Sequence, residues 1–240
     1  MQIKLYFIRK IKGLSLKFSL HKLIEPINGF LMNLAYLSKF SKWKEEHSEV
    51  PFNDFYREKF GSDMRFELYK HIIGSEKLDN PINYLEFGVA FGRSFKWWAG
   101  HNSNPDSKFV GFDTFTGLPE DWNLFAKGDM SAEGKTPEIN DSRCSFQVGL
   151  FQETLPEFIK NFDFSGRNVI HIDADLYTST LYVLTMLAPY LKPDDVIVFD
   201  EFGVPLHEFK AWTEFTNSFY INYEVSAAVN NYFQIAVKLK

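Results

Sequence analysis

Six acids stand at or near the carboxyl ends of short apolar runs in this 240-residue chain: Glu86 in Tyr84-Leu85-Glu86-Phe87-Gly88, Asp113 in Gly111-Phe112-Asp113-Thr114, Asp173 and Asp175 in Asp173-Ala174-Asp175, and the adjacent pair Asp200-Glu201. Ligands of open α/β sheets bind outside the carboxyl ends of the strands, so acids at those ends converge on one crevice. Asp173, Asp175, Asp200 and Glu201 would crowd enough negative charge there to call for a cation. Oxygen donors of this kind suit Mg²⁺, Ca²⁺ or Mn²⁺ better than Zn²⁺, and the single cysteine, Cys144, cannot build a thiolate cage. The plainer alternative is that Asp175 caps the helix beginning near Thr178 while Glu201 is solvated.

The glycines point to a cofactor. Gly88 and Gly92 lie between an apolar run and a helical pattern, spaced G-x-x-x-G. Glycine at such a turn lets a ligand approach the backbone, and the helix that follows, with Ser94 in its first turn, presents free N–H groups to an anionic group such as an amino acid carboxylate. The G-x-G-x-x-G spacing of dinucleotide enzymes is absent, which argues against NAD. Asp113 falls 21 residues after Gly92, where an acid in a nucleotide-binding fold bonds the ribose hydroxyls; capping the next turn is its alternative role. Glu86, Thr114, Gly149 and Asp173 complete the expected cofactor set. For proton transfer the candidates are Asp173, Asp175 and His207, the last of which reads equally as a surface residue. His171, inside an apolar run, reads as a core residue.

Elements that would position these groups follow from the hydrophobic pattern. Compact apolar runs at 83–89, 108–115, 145–151, 168–175 and 195–202 suit strands buried on both faces of a parallel sheet. Helical patterns fill the intervals at 92–101, 153–162, 178–191 and 208–219, with Pro193 after the third. Tyr223–Ala227 and Tyr232–Leu239 flank Asn230-Asn231 and read as a hairpin. The expected fold is therefore α/β, a doubly wound, mostly parallel, Rossmann-like sheet of seven strands. Residues 52–79 read as helical, with Tyr56, Phe60, Met64, Phe66 and Tyr69 available to roof a site, and the polar stretch 117–143 is long enough to act as a lid.

These elements in this order resemble the macrocin O-methyltransferase (TylF-like) family. The resemblance spans about residues 81–215 and rests most on Gly111-Phe112-Asp113-Thr114-Phe115-Thr116-Gly117-Leu118-Pro119-Glu120, on Phe151-Gln152-Glu153-Thr154-Leu155-Pro156, on Asp175-Leu176-Tyr177 and on Phe199-Asp200-Glu201-Phe202. It implies a class I methyltransferase that moves a methyl group from S-adenosyl-L-methionine to a hydroxyl of a small acceptor, a sugar or another glycan-like or natural-product molecule. It also implies a divalent metal, Mg²⁺ by expectation, on Asp173, Asp200 and Glu201; members of the family commonly carry two aspartates where this chain has Asp200-Glu201. A nucleotide-binding module without catalysis, or an NAD-dependent enzyme, would be the competing readings.

Composition bounds the rest. The formal net charge of −5 and the lack of any nucleic-acid-binding pattern exclude a nucleic acid partner, and 26 Phe favour large aromatic cores. One cysteine suits a cytoplasmic setting. Residues 1–50 form a basic extension and 51–240 the main domain. Residues 1–44 hold nine Lys or Arg against the single acid Glu25, and Ile3, Phe7, Ile11 and Leu14 recur at helical spacing. Such an amphipathic helix packs on its own domain, on a second subunit of a homo-oligomer, or on the inner face of a membrane.

Overall fold

The computed structural model describes residues 2–122 and 124–240; the side chain of Ile3 lies outside the described residues. The strands are β1 (Phe52–Asn53), β2 (Ile82–Phe87), β3 (Lys108–Asp113), β4 (Cys144–Val148), β5 (Arg167–Ile172), β6 (Val196–Phe199), β7 (Tyr223–Val229) and β8 (Gln234–Leu239). The helices are α1 (Gln2–Lys17), α2 (His21–Glu46), α3 (Met64–Ser75), α4 (Arg93–His101), α5 (Phe151–Asn161), α6 (Tyr177–Leu187) and α7 (Glu208–Phe219), with a 3₁₀ turn at Ala188–Tyr190.

All strands join one sheet in the order β1-β7-β8-β6-β5-β2-β3-β4. From β4 to β6 the neighbours are parallel; β8 is antiparallel to both β6 and β7. The sheet has eight strands where the sequence predicts seven, because β1 adds a parallel pairing to the outer edge of β7. Its two residues lie within the stretch read as helical. The helix there is only α3, since Pro51 and the strand pairing hold the preceding chain extended; Tyr56 and Phe60 are exposed and roof nothing.

Side chains of the central strands alternate between two cores, as strands covered on both faces require. Leu85, Phe87, Ile170, Ile172, Ile197 and Phe199 enter one core with α5, α6 and α7; Tyr84, Val169, Val196 and Val198 enter the other with α3 and α4. At roughly 25 cal/mol per Å² of apolar area, these fully buried rows are the largest favourable contribution to the fold.

Candidate active site

The parallel ladder continues one residue beyond each central strand. The amide of Gly88 donates to the Phe112 carbonyl at 3.0 Å, that of Asp173 to Phe87 at 2.9 Å, and that of Asp200 to Ile172 at 3.0 Å. Each strand stops two or three residues before the predicted limit. The chain leaves the sheet at residues that bear functional groups, and Asp113, Gly88, Asp173 and Asp200 stand side by side along one rim. A cleft of about 620 Å³ opens there, lined among others by Gly88, Asp113, Leu118, Asp173, Asp175 and Glu201.

Gly88 is required by this closeness. Its φ is +92°, and a Cβ built on it would lie 1.8 Å from the carbonyl oxygen of Asp173. No side chain fits between the β2 and β5 ends. Asp113 fixes the same turn from the other side: Oδ2 accepts from the amides of Val89 and Ala90, both at 2.7 Å, and Oδ1 from Phe115 at 2.7 Å. It lines the cleft while holding three backbone N–H groups, so the turn-capping role and the cleft-facing role coincide in one carboxylate.

The acids gather as oxygen donors. One oxygen each from Asp173, Asp175 and Glu201 lie within 4.8 Å of one another, and His171, Asp173 and Asp200 form a second such group. Asp200 is engaged by Arg65 of α3, whose Nη2 is 2.7 Å from Oδ2; Nη1 is 3.9 Å from Asp173 Oδ2. Asp200 Oδ1 and Glu201 Oε2 are buried without a hydrogen-bond partner among the described residues. Unpartnered carboxylate oxygens beside an all-oxygen donor set fit a hard divalent cation.

Burial dominates the titration of this cluster. It raises the Asp173 and Glu201 carboxyls well above the usual range, with Asp200 the next contributor to each. Asp175 is pushed up to about 7 by burial, then by the neighbouring charges of Asp200 and Asp113. Like charges in a dry rim favour the protonated form unless a cation joins them.

Residues 85–202 match a family model described as a methyltransferase domain. Among solved structures, the chain is similar to the calicheamicin methyltransferase CalS11 at a TM-score of 0.59 and 22% identity, over 74% of this chain and 80% of that one. It is similar to the O-methyltransferase NovP at 0.52 and 19% identity, over 72% and 76% of the two chains. A third, cmcI with Mg and SAM, matches at 0.50 and 14% identity over 75% and 72%. The chain has the fold of a methyltransferase. No curated protein matches it.

Within this methyltransferase fold, some expected cofactor residues lie away from the cleft. Glu86 is buried on the α3 and α4 side of the sheet, where it accepts from the Tyr84 hydroxyl and lies 3.5 Å from His171 Nδ1. The Tyr69 hydroxyl links His171 Nε2 at 3.3 Å to Ser94 Oγ at 3.4 Å. Strand alternation is the reason, since Glu86 shares its face with Tyr84. Gly92 packs under Pro137 of the 117–143 segment and is not among the residues lining the cleft. The amide of Gly149 donates to the Asp113 carbonyl at 3.0 Å, and the next residues, Leu150, Phe151 and Gln152, line the cleft. Thr114 lines it too, its hydroxyl donating to Gly117 O at 3.2 Å.

His207 is half-buried beside Trp122, and its Nδ1 accepts from the Tyr177 amide at 3.4 Å. Burial lowers its pKa, and it is not among the residues lining the cleft. The 117–143 segment supplies Leu118, Glu120 and Trp122 to the cleft wall, and the Thr178 hydroxyl donates to Glu120 at 2.8 Å.

Two residues that sequence reasoning missed complete the site. Arg65 gave no signal, because its spacing from Asp200 along the chain is unrelated to their distance in space. Glu208, the first residue of α7, is fully buried and accepts from the Glu201 amide at 2.9 Å. Burial raises its carboxyl well above the usual range. Its position one residue after His207 in a helical pattern gave no hint that it faces inward.

Proposed function

We propose that this protein transfers the methyl group of S-adenosyl-L-methionine to a hydroxyl of a small acceptor of the sugar or natural-product type, with a divalent cation, Mg²⁺ first, at the acid rim. The reading takes residues 51–240 as the catalytic domain and 1–50 as an extension of it. One observation carries it: Asp113 and the Asp173-Asp175-Glu201 group line the same cleft. A cofactor held at the Gly88 turn would thus lie within reach of an acceptor held at the acids. Support also comes from similar structures, which include a TDP-rhamnose 3'-O-methyltransferase and cmcI with Mg and SAM.

In the transfer, the carbon–sulfur bond of the sulfonium breaks, a carbon–oxygen bond forms at the acceptor, and the hydroxyl proton passes to a carboxylate. A bound divalent cation supplies positive charge that lowers the pKa of an oxygen placed on it. Asp173, Asp175 and Glu201 would hold it, with Asp200 beside them balanced by Arg65. A carboxylate ligated through one oxygen keeps the other as an acceptor. Asp175, which lines the cleft beside the other acids, is therefore placed to take the proton. Gly88 and Asp113 shape the turn that receives the cofactor, while Leu118 and Trp122 on the 117–143 wall limit water access.

Calorimetric titration with S-adenosylhomocysteine, with and without Mg²⁺, followed by transfer of labelled methyl to a panel of sugars and catechols, tests the proposal. Binding and turnover are expected, turnover being suppressed by a chelator. Binding of the cofactor with no transfer to any hydroxyl would favour a nucleotide-binding module instead, and stabilisation by NAD alone would overturn the assignment.

A further inference from the structure

The first two helices carry a surface that the fold leaves uncovered. Contact with the body is made by the end of α2: the Tyr36 hydroxyl donates to Glu214 at 3.0 Å, Phe40 meets Phe209 at 5.0 Å between ring centroids, and the Trp43 indole donates to the Tyr223 hydroxyl at 2.7 Å. Before that point the apolar side chains face solvent. Phe7, Ile11 and Leu14 of α1 are 44 to 65% exposed, and Leu23, Ile27, Phe30 and Leu34 of α2 are 48 to 75% exposed. Steps of four and three residues align each set into one stripe along its helix. Contiguous apolar surface of this extent marks an interaction site.

Charge decides what covers it. Residues 1–44 hold nine of the 26 Lys and Arg but one of the 31 Asp and Glu, leaving 17 against 30 in the rest of the chain. The basic residues are interleaved with the apolar ones. Lys10 Nζ lies 5.8 Å from the Tyr6 ring centroid and Lys17 Nζ 5.4 Å from that of Phe18, an arrangement in which the aliphatic stems cover apolar surface while the ammonium groups reach outward. Pairing the same stripe with that of a second copy would press two strongly positive segments together. An anionic bilayer buries the stripes and neutralises the charge at once. No helix among the described residues is long and apolar enough to cross a membrane, so the contact is with its surface.

We propose that α1 and the first part of α2 dock this protein on the surface of an anionic lipid bilayer, with their apolar stripes in the headgroup layer. The inference stands apart from methyl transfer and survives if that reading fails. The test is co-sedimentation of the full-length protein with vesicles of phosphatidylglycerol and phosphatidylcholine, against vesicles of phosphatidylcholine alone.

Partitioning onto the anionic vesicles should exceed that onto the neutral ones by roughly a hundredfold or more and weaken with added salt. R9Q/K10Q/K12Q should lose roughly a hundredfold, at about fivefold per basic residue, and F7S/I11S roughly tenfold or more. All five side chains are exposed, so the thermal midpoint and cofactor binding of both variants should match the parent. Equal partitioning onto neutral vesicles, no binding to anionic ones, or binding that neither variant weakens would overturn the proposal. So would an oligomer, detected by sedimentation velocity without lipid, that F7S/I11S dissociates.

Discussion

Arg65 Nη2 lies 2.7 Å from Asp200 Oδ2, and only 2% of the Asp200 side chain is exposed. This pair joins α3 to the β6 end and gives the acid rim its fixed positive charge. Removing one partner of such a pair leaves the other charge buried and uncompensated. R65Q should therefore lose about 2 kcal/mol, below the range for fully buried pairs because Arg65 itself keeps some contact with solvent. Thermal unfolding with and without Mg²⁺ reads it: the loss should shrink when the cation is present. An unchanged midpoint in both conditions would remove Arg65 from the account.

Gly88→Ala tests the contact between the β2 and β5 ends. The new Cβ would meet backbone, which has no rotamer to yield, in a φ region that L residues adopt at a cost. The expected result is destabilisation of about 2 kcal/mol or more with S-adenosylhomocysteine binding lost. Retention of binding in calorimetry would show that the turn relaxes freely.

Asp175 supplies the pH dependence. Between the usual carboxylate range and about 7, the unfolded chain has released the Asp175 proton while the folded chain keeps it. Stability from this group is thus lost as pH rises through that window and is level above it. D175N should therefore gain in midpoint over the parent as pH goes from about 5 to about 7.5 without cation, and Mg²⁺ should erase the gain. A difference between the two proteins that does not change with pH would show that Asp175 ionises normally.

The same residue bears on turnover. If Asp175 takes the acceptor proton, D175N should lower kcat by roughly 10² to 10⁴ while leaving S-adenosylhomocysteine affinity within about twofold. Both D175N and E201Q remove a cation ligand and should raise the Mg²⁺ concentration needed for half-maximal rate, but only D175N should keep the rate low at saturating Mg²⁺. Equal effects of both substitutions on cofactor binding would place these acids in the cofactor site instead.

Much of this was legible in the chain. Apolar runs such as Phe109–Phe112 and Val196–Phe199 read as strands buried on both faces, and acids at their carboxyl ends meet on one rim because parallel strands share a direction. What local pattern could not supply was the orientation of individual side chains and contacts across long separations. Glu86 sits in the right strand but on the face of Tyr84 and His171, as the alternation of the pleat dictates. Arg65 and Glu208 reach the rim from helices whose packing depends on the whole sheet, so nothing near them in sequence revealed their partners. The sequence by itself determined which residues are apolar, in what order the strands follow and which groups can carry charge. Only the tertiary structure decided which of those charges face one another, since that depends on distances set by packing between elements far apart along the chain.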